Sequence, residues 1–314
     1  MIRTTGFAAA LVAGMVLGAG TTSAETLRFM TGPQGGSWYP MGGAIKNVVE
    51  AAVPDTTLQV MPGAGIANVK AVQAGKADIA FANSVSTVDA INGKPPFDAP
   101  ADNVCHLATL YPQYFQIVTT KDTGIESLDQ LKGRALTTQP TGNTGEAITA
   151  HLVKALGLSY DDMSGVDFVS YNDSVALLKD GNSEVFTLGT TVPASAIMDL
   201  ASARDIRLLE IDDALLAKMQ ELNPGYKRIE IPAGSYPGQD APVATIGYAT
   251  HVIARCDLDD ETVKAILTQI VDNQQDLASV AKAIANTTLE QMAADIGVPM
   301  HKAAEAFWKE KGVL

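Results

Sequence analysis

The sequence is poor in several residues that mark common classes of protein. It has two cysteines in 314 residues, which excludes a disulfide-rich scaffold and a cysteine-rich metal cluster. Its 22 lysines and arginines are outnumbered by 35 aspartates and glutamates. The resulting formal charge of -13 argues against binding to nucleic acid or to an anionic membrane surface. After residue 24, no segment is apolar for long enough to cross a bilayer.

Motifs of catalysis are also missing. The sequence has no Gly-x-Ser-x-Gly elbow and no His-Glu-x-x-His zinc motif. Residues 63–68 (GAGIAN) resemble a dinucleotide-binding turn, but Asn68 stands where the third glycine belongs. We therefore expect no catalytic residue, no metal site and no cofactor. The four histidines are scattered along the chain: His106, His151, His251 and His301.

The first 24 residues have the organisation of a secretory signal. Arg3 precedes an apolar stretch over residues 7–19, and small residues follow up to Ala24. We expect cleavage after Ala24 and a periplasmic mature protein. The alternative is an uncleaved N-terminal anchor.

The rest of the chain has the composition of a globular α/β protein. It is 46% hydrophobic and 18% charged, and it is long enough for two domains. Between residues 27 and 82, short apolar runs alternate with amphipathic stretches, which predicts a β-α-β-α-β unit with a parallel sheet. A second α/β region begins near Lys121.

Two long β-like runs connect these regions. Residues 104–119 leave the first region, and residues 243–254 return to it. We therefore predict two α/β lobes joined by two antiparallel crossover strands. Lobe 1 comprises residues 25–112 plus 250–314, and lobe 2 comprises residues 113–249. A monomer is the default expectation.

A glycine-rich turn in the first region is a candidate ligand site. It follows the first predicted strand and precedes a helix that starts near Pro40. Gly35 and Gly36 allow close backbone approach, Ser37 offers a hydroxyl group and Tyr39 an aromatic wall. Free backbone N–H groups and the helix N-terminus suit a carboxylate. The alternative is a βα turn without a ligand.

Similar features follow other predicted strands, where open α/β sheets bind ligands. We expect ligand contacts from Asn83, Ser84, Tyr111, Thr141, Gly142, Asn143, Thr144, Thr190 and Thr191. Helix caps and ordinary core packing are the alternatives. None of these loops contains arginine, so a bound carboxylate would depend on neutral donors and helix dipoles.

The two cysteines occupy matching places on the crossover strands. Cys105 begins the outgoing strand, and Cys256 follows the end of the returning one. Antiparallel strands place the start of one beside the end of the other, which predicts a Cys105–Cys256 disulfide. Two separate buried thiols are the alternative.

Several motifs together resemble a known family. They are residues 31–44 (TGPQGGSWYPMGGA), 73–80 (QAGKADIA), 110–112 (LYP), 127–134 (SLDQLKGR) and 231–239 (IPAGSYPGQ). With these motifs the chain resembles the TAXI-type solute-binding proteins of TRAP (tripartite ATP-independent periplasmic) transporters, which have the type II periplasmic binding protein fold. The resemblance implies capture of a small organic acid or amino acid, such as glutamate or 2-oxoglutarate, and delivery to a membrane permease.

The chain departs from that family's pattern at three places. It has Asn83-Ser84-Val85 where the family often has Gln-Ser-Asp, and Gln113 where the family often has Glu. It also has residues 190–193 (TTVP) in place of Gly-Tyr-Pro. If the two missing acidic groups face the cleft, the ligand is less cationic. A secreted hydrolase acting on a small carboxylate is the alternative function, and a secreted adhesin is a third class.

Overall fold

The computed structural model describes residues 1, 25–32, 37–54 and 56–314. Nearly all of the predicted signal segment, together with the turn glycines Gly35 and Gly36, lies outside these described residues. Within the described part of the chain, no helix is long and apolar enough to cross a membrane.

All strands of the described residues belong to one ten-stranded sheet. In chain order the strands are β1 (Glu25–Met30), β2 (Thr56–Met61), β3 (Ile79–Asn83), β4 (Cys105–Thr120), β5 (Ala135–Thr138), β6 (Gly165–Phe168), β7 (Val185–Thr190), β8 (Ile206–Leu208), β9 (Lys227–Ile231) and β10 (Val243–Ala254). Their order across the sheet is β2-β1-β3-β10-β4-β7-β5-β6, with β8 paired to β4 and β9 to β10.

Helices follow most of these strands and cover the sheet. Those of the described residues are α1 (Trp38–Ala52), α2 (Gly65–Gln73), α3 (Ser84–Ile91), α4 (Thr144–Ala155), α5 (Tyr171–Lys179), α6 (Ser195–Ala203), α7 (Asp213–Leu222), α8 (Asp260–Asp272), α9 (Gln274–Leu277), α10 (Leu289–Met292) and α11 (Lys302–Glu310).

The sheet has two parallel parts that flank an antiparallel pair. Strand β1 is parallel to β2 and β3, which confirms the parallel unit predicted between residues 27 and 82. Strand β5 is parallel to β6 and β7. Between these parts, β4 and β10 run antiparallel from the Cys105–Ala254 pair to the Tyr114–Gly247 pair. The predicted fold class, two α/β parts joined by two antiparallel crossover strands, is therefore confirmed.

Separate hydrophobic clusters lie on either side of the central pair. We call β1–β3, α1–α3 and the C-terminal helices the first half, and β5–β9 with α4–α7 the second half. In the first half, Phe29 and Phe81 pack with Trp308 of α11, whose indole N–H donates to the Leu107 carbonyl at 2.9 Å. In the second half, Phe115 packs with Ile148 and other buried side chains. The C-terminal helices thus complete the core of the half in which the chain began.

A disulfide bond joins Cys105 and Cys256. Their Cα atoms lie 5.0 Å apart, at the end of the central pair that belongs to the first half. The antiparallel register accounts for this proximity because Cys105 pairs with Ala254, two residues before Cys256.

Candidate functional site

Four of the described helices begin around one cavity between the two halves. Their N-cap residues are Ser37 for α1, Ala64 for α2, Asn83 for α3 and Asn143 for α4. None of these four cap residues bonds through its side chain to the described backbone of its own helix. The first N–H groups of each helix lack intrahelical partners, so four partly positive ends converge on this space. We call it the cleft cavity.

The cleft cavity is small and its lining is neutral. Its volume is about 60 Å³. Every described residue that lines it is uncharged, including Gln113 of β4, Gln139 and Tyr171. Because no lysine or arginine is among them, the helix N-termini provide the positive potential. Such a site suits an anionic group.

A hydrogen-bonded group forms one wall of the cleft cavity. The Trp38 indole N–H donates to Thr250 Oγ1 at 3.2 Å, and Gln113 Nε2 donates to the same oxygen at 2.6 Å. Outside the lining of the cleft cavity, the Tyr111 hydroxyl faces Ser37, Trp38 and Thr250, and burial raises its pKa to about 12, so it stays protonated. Thr250 therefore holds the Trp38 and Gln113 side chains in place.

Two side chains that line the cleft cavity each have an oxygen without a hydrogen-bond donor. Asn83 is 7% exposed and Gln113 is 3% exposed. Neither Asn83 Oδ1 nor Gln113 Oε1 has a hydrogen-bond partner among the described residues. A buried acceptor without a donor is unfavourable by roughly 1–3 kcal/mol. A ligand that brings N–H or O–H groups would satisfy both oxygens.

Thr144 of α4 closes one side of the cleft cavity against the first half. Its hydroxyl lies 2.8 Å from Ser86 Oγ on α3, in a fully buried hydrogen bond. It also packs against Gly65 so closely that a Cβ atom on Gly65 would overlap the Thr144 hydroxyl oxygen. Beyond Thr144 lies a second cavity of about 290 Å³, which we call the side cavity.

The structure brings together five of the residues predicted for the site. Around the cleft cavity lie Ser37, Asn83, Asn143, Thr144 and Thr190. They meet because each follows or ends a strand, at the edge of the sheet where the two halves face each other.

The other predicted residues lie elsewhere. Thr141 and Gly142 line the side cavity. Ser84 and Tyr111 line a larger groove of about 600 Å³ along the central strand pair, where Ser84 Oγ accepts from the Ala249 N–H at 3.0 Å. Neither Tyr39 nor Thr191 lines any of these three spaces in the described structure.

Two of the histidines form a buried pair although they lie far apart in the sequence. The antiparallel register of β4 and β10 brings His106 Nδ1 to 3.0 Å from His251 Nδ1. His251 Nε2 lies 2.8 Å from the Thr87 hydroxyl, which donates to the Asn83 carbonyl at 3.2 Å. Burial lowers the pKa of His106 to about 4 and that of His251 well below its usual value. The neutral pair thus connects the start of α3 to the central strands.

The neutral His106 predicts a loss of stability in acid. The unfolded chain binds a proton near the ordinary pKa of 6.5, whereas the folded chain resists it until about 4. Stability from this group is therefore complete above pH 6.5 and is lost as pH falls towards 4. Urea unfolding should show that the wild type loses free energy of unfolding between pH 7.5 and pH 4.5. In His106→Gln this loss should be smaller by about 2–3 kcal/mol. An equal loss in both proteins would contradict this assignment.

Two α/β halves, an antiparallel connection and a polar cavity between them define the class of type II periplasmic binding proteins. Solved structures show the same fold. PhnD1 from Prochlorococcus marinus (MIT 9301), in complex with methylphosphonate, matches with a TM-score of 0.54 at 13% identity, over 92% of this chain and 99% of its own. The substrate-binding protein of an amino acid ABC transporter matches with a TM-score of 0.52 at 13% identity, over 82% of this chain and 98% of its own.

A third solved structure is the alkanesulfonate-binding protein SsuA from Xanthomonas axonopodis pv. citri bound to MOPS. It matches with a TM-score of 0.50 at 14% identity, over 90% of this chain and 83% of its own. At these identities the similarity establishes the fold. The chain belongs to the NMT1-like family, whose profile matches residues 29–312.

Proposed function

We propose that the protein is an extracytoplasmic solute-binding protein. It captures a small organic acid or amino acid in the cleft cavity and delivers it to a membrane permease. The observation that carries this proposal is the convergence of four helix N-termini on a neutral cavity between two α/β halves. Such a cavity stabilises an anion without a counter-ion from the protein.

The two oxygens without a hydrogen-bond donor indicate which class of ligand fits the cleft cavity. A carboxylate placed at the helix N-termini lies beside Asn83 Oδ1 and Gln113 Oε1, which need donors. A 2-amino acid supplies an ammonium group next to its carboxylate, whereas a 2-oxo acid supplies an acceptor. These contacts favour a glutamate-like amino acid over 2-oxoglutarate. Gln113 carries no charge, so the ammonium group is held by neutral oxygens.

The size of the cleft cavity implies movement. A volume of about 60 Å³ is well below the roughly 300–1,000 Å³ of ordinary ligand pockets, so we propose that the halves separate to admit the ligand. We propose that residues 25–112 plus 250–314 form lobe 1, that residues 113–249 form lobe 2, and that β4 and β10 act as the hinge. A ligand that touches both lobes binds the closed state better and shifts the population towards it.

The transporter type is proposed from the motifs. Residues 31–44 and 231–239 support a TAXI-type protein that serves a TRAP permease. The secretory pattern before Glu25 supports cleavage after Ala24 and a periplasmic location, and the monomer remains the default proposal. The alternative of a hydrolase with paired carboxylates has no support in the cleft cavity, whose described lining contains no carboxylate.

Native mass spectrometry of gently purified protein tests the proposal. We expect a bound small acid to be released on denaturation and identified by its mass. Calorimetry should then show that glutamate binds more tightly than 2-oxoglutarate, without being consumed. The proposal fails if no acid copurifies and neither compound binds.

Thr144→Ala should weaken glutamate binding. The change removes a cavity hydroxyl and its bond to Ser86, and one lost hydrogen bond is worth about 0.5–1.5 kcal/mol. We expect a 2- to 12-fold increase in Kd by calorimetry. Thr141→Ala is the matched control because Thr141 lines the side cavity, and its Kd should change less than twofold. Equal effects of both changes would contradict the separate roles of the two cavities.

A further inference from the structure

A carboxyl group lies buried in the contact between the two halves. Asp89 of α3 is 7% exposed. Its Oδ2 accepts a hydrogen bond of 2.7 Å from Asn223 Nδ2, which follows α7 in the second half. The same amide group donates to the Val85 carbonyl at 3.1 Å, and Asn223 Oδ1 accepts from the Gly225 N–H. Asn223 is therefore fully engaged at this contact.

The hydrogen bond from Asn223 does not fully offset the free-energy cost of burying the Asp89 carboxylate. Asp89 Oδ1 has no hydrogen-bond partner in the described part of the chain, and the neutral Asn223 amide is the donor to Oδ2. A buried carboxylate with one neutral donor is unfavourable compared with the same group in water. The second half contributes to this burial, because Asn223 contacts Asp89 directly and Tyr226 lines the side cavity together with it.

The other charged and titratable groups around Asp89 do not offset the cost of burying its ionised side chain. Lys94, just after α3, attracts its charge from a distance. On α4, His151 bonds to the Tyr226 hydroxyl at 2.7 Å, and burial lowers its pKa. Glu146 accepts from the Tyr160 hydroxyl at 3.2 Å within the second half, and Lys70 of α2 lies over the Phe97 ring. None of these side chains donates to Asp89 Oδ1.

We propose that Asp89 and Asn223 form a proton-dependent latch, in which closing of the halves takes up a proton at Asp89. This inference rests on the lobe movement of the proposed function and adds its regulation. When the halves separate, Asn223 and Tyr226 leave and water reaches the carboxyl group. When they close, a protonated Asp89 is buried at lower free energy than an ionised one. Mild acid therefore favours the closed, ligand-retaining state.

The size of the pH effect follows from the pKa of Asp89 in the closed state and in the open state. Burial raises the pKa of Asp89 to about 6 in the closed state, despite the opposing effects of the Asn223 bond and Lys94. Exposure on opening returns the pKa towards its ordinary 3.8. The ratio of closed to open molecules then rises about tenfold between pH 7.5 and 5.0.

Pulsed electron paramagnetic resonance tests the latch without ligand. Spin labels at Asn47→Cys on α1 and Lys218→Cys on α7, both exposed, report the distance between the halves. The ratio of short to long distances should rise about tenfold from pH 7.5 to 5.0. Asp89→Asn, which imitates the protonated group, should keep a high ratio at both pH values. Glu146→Gln is the matched control because it removes a nearby carboxyl group outside the latch, and it should respond like the wild type.

The outcomes separate this inference from the proposed function. An unchanged ratio in the wild type, or a pH response that persists in Asp89→Asn, overturns the latch. Calorimetry with glutamate is independent of both results. A protein that binds glutamate but shows no response to pH refutes only the latch. A protein that responds to pH but binds no acid refutes only the proposed ligand class.

Discussion

Gly65→Val should reduce glutamate affinity at least 100-fold while the chain still folds. Gly65 is the first residue of α2, and a Cβ atom there would overlap the Thr144 hydroxyl and lie 3.1 Å from Asn83 Nδ2. A branched side chain such as valine at this position therefore keeps the two halves apart around the cleft cavity. The obstacle acts on the closed state, so the open protein keeps its stability. Calorimetry for affinity and circular dichroism for folding measure the two quantities separately.

Gly43→Val is the matched control. Gly43 lies in α1, and a Cβ atom there meets no described atom within 4 Å. The same chemical change should therefore leave glutamate affinity within about twofold. The glutamate affinity of the smaller substitution, Gly65→Ala, should lie between the affinities of Gly65→Val and Gly43→Val. The reason is that Thr144 can rotate away from an alanine at the expense of its bond to Ser86. Near wild-type affinity in Gly65→Val would show that this contact is not needed for capture.

Removing the disulfide bond should lower the free energy of unfolding by about 5 kcal/mol, according to the chain-entropy estimate for a loop of this length. Cys105 and Cys256 are 151 residues apart, so their bond strongly restricts the unfolded chain. Urea unfolding of the double variant Cys105→Ser, Cys256→Ser should show this loss against the wild type. Measured losses are often smaller than the entropic estimate, but a loss below about 1 kcal/mol would contradict a stabilising role.

A reductant provides the control for this experiment. It should destabilise the wild type towards the level of the double variant and leave the double variant unchanged. Ligand affinity of the folded protein should change little, because both cysteines lie at the first-half end of the central strands. A large loss of glutamate affinity in the folded double variant would instead couple the bond to the cleft cavity.

The part of the candidate site that follows strand ends was accessible from sequence. Ser37, Asn83 and Asn143 are small polar residues between an apolar strand and an amphipathic helix. Parallel strands place such turns at one edge of the sheet, so their clustering follows from local pattern and topology. The structure adds that their side chains do not cap their own described helices.

Other residues of the cleft cavity could not be inferred in this way. Gln113 lies inside β4, a strand buried on both faces, so no alternation of polar and apolar residues marks the side chain that faces the cavity. Gly65 is important because of Thr144, which belongs to the other half of the molecule. Trp38 was recognised only within a motif, and its bond to Thr250 spans 212 residues of sequence.

The strand β9 has no clear signal in its local sequence. Residues 227–231 (KRIEI) are rich in charged residues, and the sequence pattern there did not suggest a strand. The segment nevertheless forms β9 because β10 provides a complete antiparallel partner from Val243 to Gly247. Backbone pairing, rather than local preference, decides the structure of this segment.

By itself, the sequence determined the alternation of strands and helices, the two long crossover strands and the polar turns that end the parallel strands. These features depend on hydrophobic periodicity and on residues close together in the chain. Tertiary structure alone decided the Thr144–Gly65 contact, the His106–His251 pair and the Asp89–Asn223 bond. Each of these joins segments far apart in sequence, so its distance and burial depend on how the elements pack against one another and are not encoded in any local pattern.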